Sequence, residues 1–435
     1  MERSIEHKLV EWKDSAYRKP LILRGARQVG KTWILKEFGG KYFKNVVVCN
    51  FDKDEEIQKV FINKSPQRIV SILETLYGHR IVPGETLLIF DEVQECPNAL
   101  NSLKYFFEEM RELHVAAAGS LLGVMLANHS YPVGSVDLLD MYPMDFAEYL
   151  AATDANLHMA YCQMPLMEAL EEVFHRRLTD AYHRYLIIGG MPECVSLWCE
   201  THELANVSRV QEELLKLYEG DFGKHEGQVN AAKCMQVLRS IPEQLAKGNE
   251  RFVYGVVRDG ARGRDYEDAI TWMVTAGLFN KVHTVSKIEY PLRVFRRDDV
   301  FKLFLMDTGL IKNMAGVPNR AILLEEAYQF KGQLAENYVL QQIGGRFDIE
   351  PFYFADNSSR EIDFLLQVET DILPIEVKSG ANMKAISLKN YLDKRKPPYA
   401  IRFSENNYSR NGNLLNIPLY RAGRLAEYFV QARNY

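Results

Sequence analysis

The 435-residue chain has no apolar run approaching the ~18 residues that a membrane-spanning helix requires. Its first ten residues carry Glu2 and Glu6 and no apolar core, so no secretory leader is expected there. Cysteine is scarce, with six residues scattered from Cys49 to Cys234 and no Cys-x-x-Cys pair. Even Cys194 and Cys199 lack partners at zinc-ligand spacing, so buried or surface thiols are the better reading. Reduced thiols and a cytoplasmic location are the expectation. An excess of positive charge is lacking too, since 53 Lys and Arg stand against 58 Asp and Glu, a net charge of −5. Apolar residues at 47% and charged residues at 26% exclude a largely disordered chain. The length suggests about three domains at ~150 residues each. Charge is uneven: Lys378 to Tyr435 holds eleven Lys and Arg against three acids, which leaves the remainder clearly acidic. A basic end suits either a polyanion partner at one face or a solvated terminal helix.

The strongest pattern lies near the N-terminus. An apolar strand from Leu21 to Arg24 leads into Gly25, Ala26, Arg27, Gln28, Val29, Gly30, Lys31 and Thr32, and an amphipathic helix follows. Strand, glycine loop and helix in this order predict a phosphate-binding loop. Gly25 and Gly30 permit the tight path that turns amide hydrogens toward phosphates, and the helix N-terminus adds a favourable dipole. Lys31 is then placed against the β- and γ-phosphates, and the Thr32 hydroxyl is a magnesium ligand.

A second pattern, Thr86 to Asp91 followed by Glu92, is an apolar strand ending in two carboxylates. A run apolar on both faces suits a central parallel strand. Asp91 at its carboxyl end is expected to hold Mg2+ through water, and Glu92 to orient the attacking water of a hydrolysis. Residues 45 to 52 read as another strand, 69 to 76 and 98 to 112 as helices, and 114 to 118 as a small-residue strand ending at Gly119 and Ser120. Ser120 stands where a sensor of the γ-phosphate belongs, although a Gly-Ser turn is the plain alternative. The expected core is a parallel sheet with helices on both faces.

Together the loop from Arg24 to Thr32, the Asp91–Glu92 pair, Gly119–Ser120 and the phrase from Tyr142 to Leu150 resemble the prokaryotic AAA-type ATPases that carry a C-terminal domain of unknown function. The resemblance implies ATP rather than GTP, and a P-loop domain followed by a helical and winged-helix segment and a restriction-endonuclease-like domain. Family members tend to have a basic residue after the glycine at Gly134, where this chain has Ser135.

Residues 151 to 247 read as mostly helical, interrupted by Gly189, Gly190, Met191 and Pro192, which end a helix and force a turn. A helix from Tyr266 to a C-cap at Gly277 and strands at 278 to 284 and 301 to 307 outline a winged helix. Arg293, Arg296 and Arg297 lie in or near its wing and could meet phosphates, but Asp298 and Asp299 follow at once. A protein-binding or interdomain role is at least as well supported.

The last fifth holds a helix with Glu336 among apolar neighbours, a strand carrying Asp363, a turn at Glu369 to Asp371, and a strand ending Glu376, Val377, Lys378. Strand alternation puts Glu376 and Lys378 on one face, and a hairpin at that turn brings Asp363 beside them. Glu336, Asp363, Glu376 and Lys378 resemble the PD-(D/E)XK nuclease active site. That resemblance implies Mg2+ or Mn2+ held by Asp363 and Glu376, with Lys378 orienting water or offsetting charge at phosphorus. Lys394, Arg395 and Lys396 would suit a surface that tracks a DNA or RNA backbone, while Tyr391 and Tyr399 read as core.

The expected architecture is α/β throughout: a P-loop ATPase domain over 1–150, a helical segment over 151–247, a winged-helix-like domain over 248–325 and a nuclease-like domain over 326–435. Either hydrolysis is coupled to a C-terminal nuclease, or the ATPase is a conformational switch whose C-terminal fold only binds a partner. Oligomerisation is compatible with both readings, and no membrane partner is expected.

Overall fold

The computed structural model describes residues 1–119, 134–225, 227–248, 251–345, 349–355, 361–379, 388, 391–392 and 397–433. Ser120 and the Lys394–Lys396 run lie outside the described residues. The chain divides into two compact units, Met1–Tyr142 with Thr275–Gly277, and Pro143–Val274 with Leu278–Tyr435.

The first unit is built on a five-stranded sheet of β1 (Leu21–Arg24), β2 (Asn45–Asn50), β3 (Thr86–Asp91), β4 (His114–Ala118) and β5 (Asp137–Asp140). Their order is β2-β3-β4-β1-β5, and every pairing is parallel. β3 is buried along its whole length, as its lack of alternation requires of a strand covered on both faces. The alanines of β4 let it sit between β1 and β3, with Ala116 level with Ile89 and Ala117 level with Ile22. Helices Lys31–Tyr42, Pro66–Tyr77 and Pro97–Glu109 follow β1, β2 and β3. The last two begin on proline, whose missing N–H costs nothing in a first turn. Phe51, Phe61, Phe90 and Phe106 form an edge-to-face stack in the core, with Phe61 and Phe90 centroids 5.0 Å apart.

The second unit begins with helices, among them Glu172–Ile188, Leu204–His225 and Gly227–Ala246. Among the described residues its sheet has eight strands: β6 (Phe279–Val285), β7 (Arg296–Leu305), β8 (Phe352–Ala355), β9 (Glu361–Val368), β10 (Asp371–Val377), β11 (Ala400–Ser404), β12 (Ser409–Asn411) and β13 (Leu414–Pro418). Their order is β12-β13-β11-β10-β9-β8-β6-β7.

The winged-helix outline drawn for the middle of the chain is not confirmed. The two strands expected to make a wing, β6 and β7, are antiparallel, but β6 also pairs in parallel with β8, His283 level with Phe352. The sheet therefore runs across the boundary expected between residues 325 and 326. An apolar strand with one open edge needs a backbone partner, and sequence periodicity does not say which distant strand supplies it. Val285, Ile288 and Leu292 share a small core with Phe352, Ile362 and Leu365, and half-buried Tyr391 packs on it.

The Gly-Gly turn after Ile188 is a close backbone approach. A Cβ on Gly190 would lie 2.0 Å from the Met144 carbonyl oxygen, and one on Gly189 (φ 76°) would lie 2.3 Å from Asp307 Oδ1. Fully buried Asp307 accepts from the amides of Gly190 (2.6 Å) and Leu310 (3.0 Å) and from Gln341 Nε2 (3.2 Å). Among the described residues no helix is long and apolar enough to cross a membrane.

Candidate nucleotide and metal sites

In the first unit the loop between β1 and the helix Lys31–Tyr42 folds as its glycines predict. Gly25 has φ 144°, and a Cβ there would be 2.1 Å from the Met141 carbonyl oxygen, so no other residue fits. Gly30 is the helix N-cap at φ 96°, and Gln28 joins it in the left-handed region at φ 66°. These turns leave the first amides of the helix available to an anion.

Lys31 is buried and donates to the carbonyl oxygens of Gly25 (2.9 Å) and Ala26 (2.7 Å). Burial pushes its pKa down to about 8, against the pull of Glu92 and Asp91, and Arg27 adds to the lowering. The Thr32 hydroxyl donates to Asp91 Oδ1 at 2.6 Å, so the two expected magnesium ligands already meet. Two hard oxygens at one point, opening onto a phosphate-binding loop, fit Mg2+, which takes few protein ligands and completes its shell with water and phosphate.

Glu92 follows with φ 50°, and its Oε2 accepts from Gln94 Nε2 at 2.5 Å. Gly119 is buried at the end of β4. Sequence reasoning missed two supports. Asn50 Nδ2 donates to Asp91 Oδ2 at 2.8 Å, and its signal was available: a polar residue closing an apolar strand, level with Asp91 in the sheet. Buried Arg3 donates to the carbonyls of Val29 (2.9 Å) and Tyr142 (2.6 Å), a long-range contact with no local signature.

In the second unit the hairpin closes where expected, Val368 opposite Asp371, with Glu369 at φ 54° in the turn. Ile375 stands opposite Phe364, so the next pair brings Asp363 to Glu376, and Asp363 Oδ2 accepts from the Val377 amide at 2.7 Å. Lys378 is ion-paired with Glu376. Glu336, from the helix Lys331–Gly344, is close enough for Glu376 and Lys378 to perturb its ionisation, and it perturbs that of Lys378 in turn. The four expected residues are thus brought together.

Three further charges join them. Lys302 of β7 is ion-paired with Glu361 of β9, and Arg402 of β11 lies level with Glu376. A lone lysine within the apolar run Phe301–Leu305, and an acid two residues before Asp363 on the same strand face, were the readable signals for the first two.

Burial and the mutual repulsion of the carboxylates outweigh the lysines. Burial first, then Glu361 and Glu376, raises the Glu336 carboxyl, and burial with Glu336, Glu376 and Glu361 holds Asp363 well above the usual carboxylate range. Burial likewise raises Glu376, against its Lys378 partner. One Glu376 oxygen, Oε2, is buried without a hydrogen-bond partner. Among the described residues no three His, Cys, Asp or Glu side chains converge as a cation cage. Two carboxylates, one of them with an unsatisfied buried oxygen, nevertheless fit a Mg2+- or Mn2+-type ion that keeps most of its water.

Several of the described arginines pair within the chain. Arg293 and Arg296 pair with Glu350, Arg296 also with Asp298, and Arg297 with Asp299. Arg421 is fully buried and donates to the carbonyls of Leu166 (3.1 Å) and Pro165 (2.9 Å) and to Tyr428 Oη (2.8 Å). Arg424 is buried against Glu427 and the Tyr161 carbonyl. These two arginines of the basic end belong to the interior, neither to a solvated helix nor to a polyanion surface.

A parallel sheet with a phosphate loop after one inner strand and a carboxylate at the end of another defines a P-loop nucleotide-binding domain. Residues 17–150 match the family model described as an AAA domain. Residues 179–321 and 331–421 match two families described as domains of unknown function, DUF8612 and DUF4143. An uncharacterized protein of Methanocaldococcus jannaschii is 21% identical over 384 residues, 84% of this chain and 75% of its own. Among solved structures, a Walker-type ATPase of Pyrococcus abyssi is 13% identical, covering 72% of this chain and 95% of its own at a TM-score of 0.44. The Orc1 protein of Aeropyrum pernix, solved in complex with DNA, is 13% identical, covering 74% and 95% at a TM-score of 0.26.

Proposed function

We propose that the protein binds ATP with Mg2+ and hydrolyses it in its N-terminal unit. The observation that carries this is the meeting of Thr32 and Asp91 at 2.6 Å beside a loop whose lysine is buried and whose glycines occupy left-handed backbone. Lys31 exchanges its two carbonyl acceptors for phosphate oxygens, where its charge offsets the charge that develops in transfer. Thr32 and Asp91 would hold the cation, which would supply charge neutralisation to the bound phosphates. Glu92, steadied by Gln94, orients the attacking water and accepts its proton. Glu92→Gln should bind Mg-ATP in calorimetry as tightly as the parent yet hydrolyse it ~100-fold or more slowly. An unchanged turnover removes Glu92 from the mechanism, and no heat of binding in the parent removes the ATPase reading.

For the second unit, helix Lys331–Gly344, the antiparallel strands β8, β9 and β10, and the parallel strand β11 support a PD-(D/E)XK-like nuclease site acting on DNA or RNA. Asp363 and Glu376 would hold Mg2+ or Mn2+, which when bound supplies an activated water. Asp363→Ala should abolish manganese-supported cleavage of plasmid or single strands and leave ATP turnover intact. The pairing of Glu361 with Lys302 and of Glu376 with Lys378 favours a second reading, a nucleotide-driven switch whose C-terminal fold binds a partner without cutting it. Absence of cleavage by the unmutated protein across metals and substrates selects that reading. A cytoplasmic setting suits either.

A further inference from the structure

The C-terminal carboxylates are divided between two built-in cations. Lys378 leaves the end of β10 and pairs with Glu376 on its own strand face. Lys302 arrives from β7, outside the helix and hairpin that carry the other groups, and pairs with Glu361. Its side chain is only 12% exposed, and its ammonium lies 5.1 Å from the centre of the Tyr353 ring. A lysine so placed loses water and rotamer freedom, and opposite charge together with an aromatic face is what compensates it.

The two sides of the cluster then differ. At the Asp363–Glu376 side, Glu376 has a side chain 7% exposed and one oxygen, Oε2, with no partner. At the Glu336–Glu361 side, an ammonium is already seated. That side borders a cavity of about 150 Å³ lined by Gln244, Arg251, Lys302, Gln333, Glu336 and Glu361. The cavity is polar, and Gln333 Oε1 beside it is buried without a partner.

We propose that the Lys302 ammonium fills a cation position of this cluster, so that Glu336 and Glu361 face a fixed internal charge and a divalent ion is taken up only at Asp363 and Glu376. The inference rests on reading the cluster as a metal site. Lys302 is a positioning residue that acts through Glu361 and Glu336. It makes the centre a one-metal site, and the neighbouring cavity gives water room around a second ion once the lysine side chain is shortened or uncharged.

The test is the stoichiometry of Mn2+, titrated calorimetrically into nucleotide-free full-length protein carrying Asp91→Asn to silence the N-terminal ligands. That parent should bind one ion per chain, and Asp363→Asn added to it should bind none. Lys302→Met added to the parent should bind two ions, while Lys302→Arg should keep the count at one. Circular dichroism confirms folding of each, and Lys302→Gln serves if the methionine variant does not fold. One ion in both the parent and Lys302→Met overturns the role of Lys302 and leaves the metal site standing. No ion in any variant overturns both. No ion in the parent but one in Lys302→Met supports Lys302 as the internal cation and overturns metal binding by the unmutated cluster.

Discussion

Lys31 shows how far a single residue's state depends on what surrounds it. Its ammonium is folded back onto the Gly25 and Ala26 carbonyls, and burial lowers its pKa to about 8. A triphosphate in the loop supplies negative charge at short range and raises that pKa again. Binding must then take up protons wherever the free lysine is substantially neutral. At pH 8.5 the uptake should be roughly half a proton or more per ATP, falling toward zero at pH 6.5. The check is the observed heat of Mg-ATP binding in buffers of different ionisation enthalpy. Lys31→Met should remove the buffer dependence along with most of the affinity, and a parent protein whose heat ignores the buffer contradicts the buried-lysine account.

At the scale of elements, the β9–β10 hairpin was legible because its two signals are local. Alternation fixed which side chains share a face, and the turn fixed the register that sets Asp363 against Glu376. What the hairpin meets on its open side was not legible. β8 follows from chain proximity, but β6 and β7 join through a pairing about 70 residues distant, and with them comes Lys302. Periodicity records which face is apolar and says nothing about the strand on the other side.

The consequence for stability lies in the carboxyls. Glu336, Asp363 and Glu376 are all raised, chiefly by burial, with Lys302, Lys378 and Arg402 facing them from β7, β10 and β11. Groups raised in the folded state contribute stability that is complete below their unfolded values near 4 and is lost as pH climbs through the folded ones. Asp363→Asn exempts one of them, since an amide oxygen can still accept from the Val377 N–H. The melting temperature of Asp363→Asn minus that of the parent, measured without divalent ions, should therefore grow from pH 4 to pH 8. A difference that stays flat or shrinks contradicts the charge account of the cluster.

Across the whole molecule, charge counted along the sequence was a poor guide to charge on the surface. Arg421 and Arg424 contributed to the basic end, yet both are interior donors, and Arg421 closes onto carbonyls about 255 residues earlier in the chain. A buried guanidinium that donates to carbonyls leaves no mark on composition, since it is counted like any exposed arginine. If Arg421 is a clamp between the start of the second unit and its C-terminal helical end, removing it leaves the Leu166 and Pro165 carbonyls and Tyr428 Oη short of a donor. Arg421→Ala should then cost ~3 kcal/mol or more of stability, read as a lowered midpoint in urea. Its effect on nucleic acid should be nil: any affinity for single-stranded DNA, and the slope of that affinity against salt, should match the parent under conditions where both are folded. A variant that keeps its midpoint but loses about one unit of salt slope would return Arg421 to the surface and make the basic end a phosphate contact.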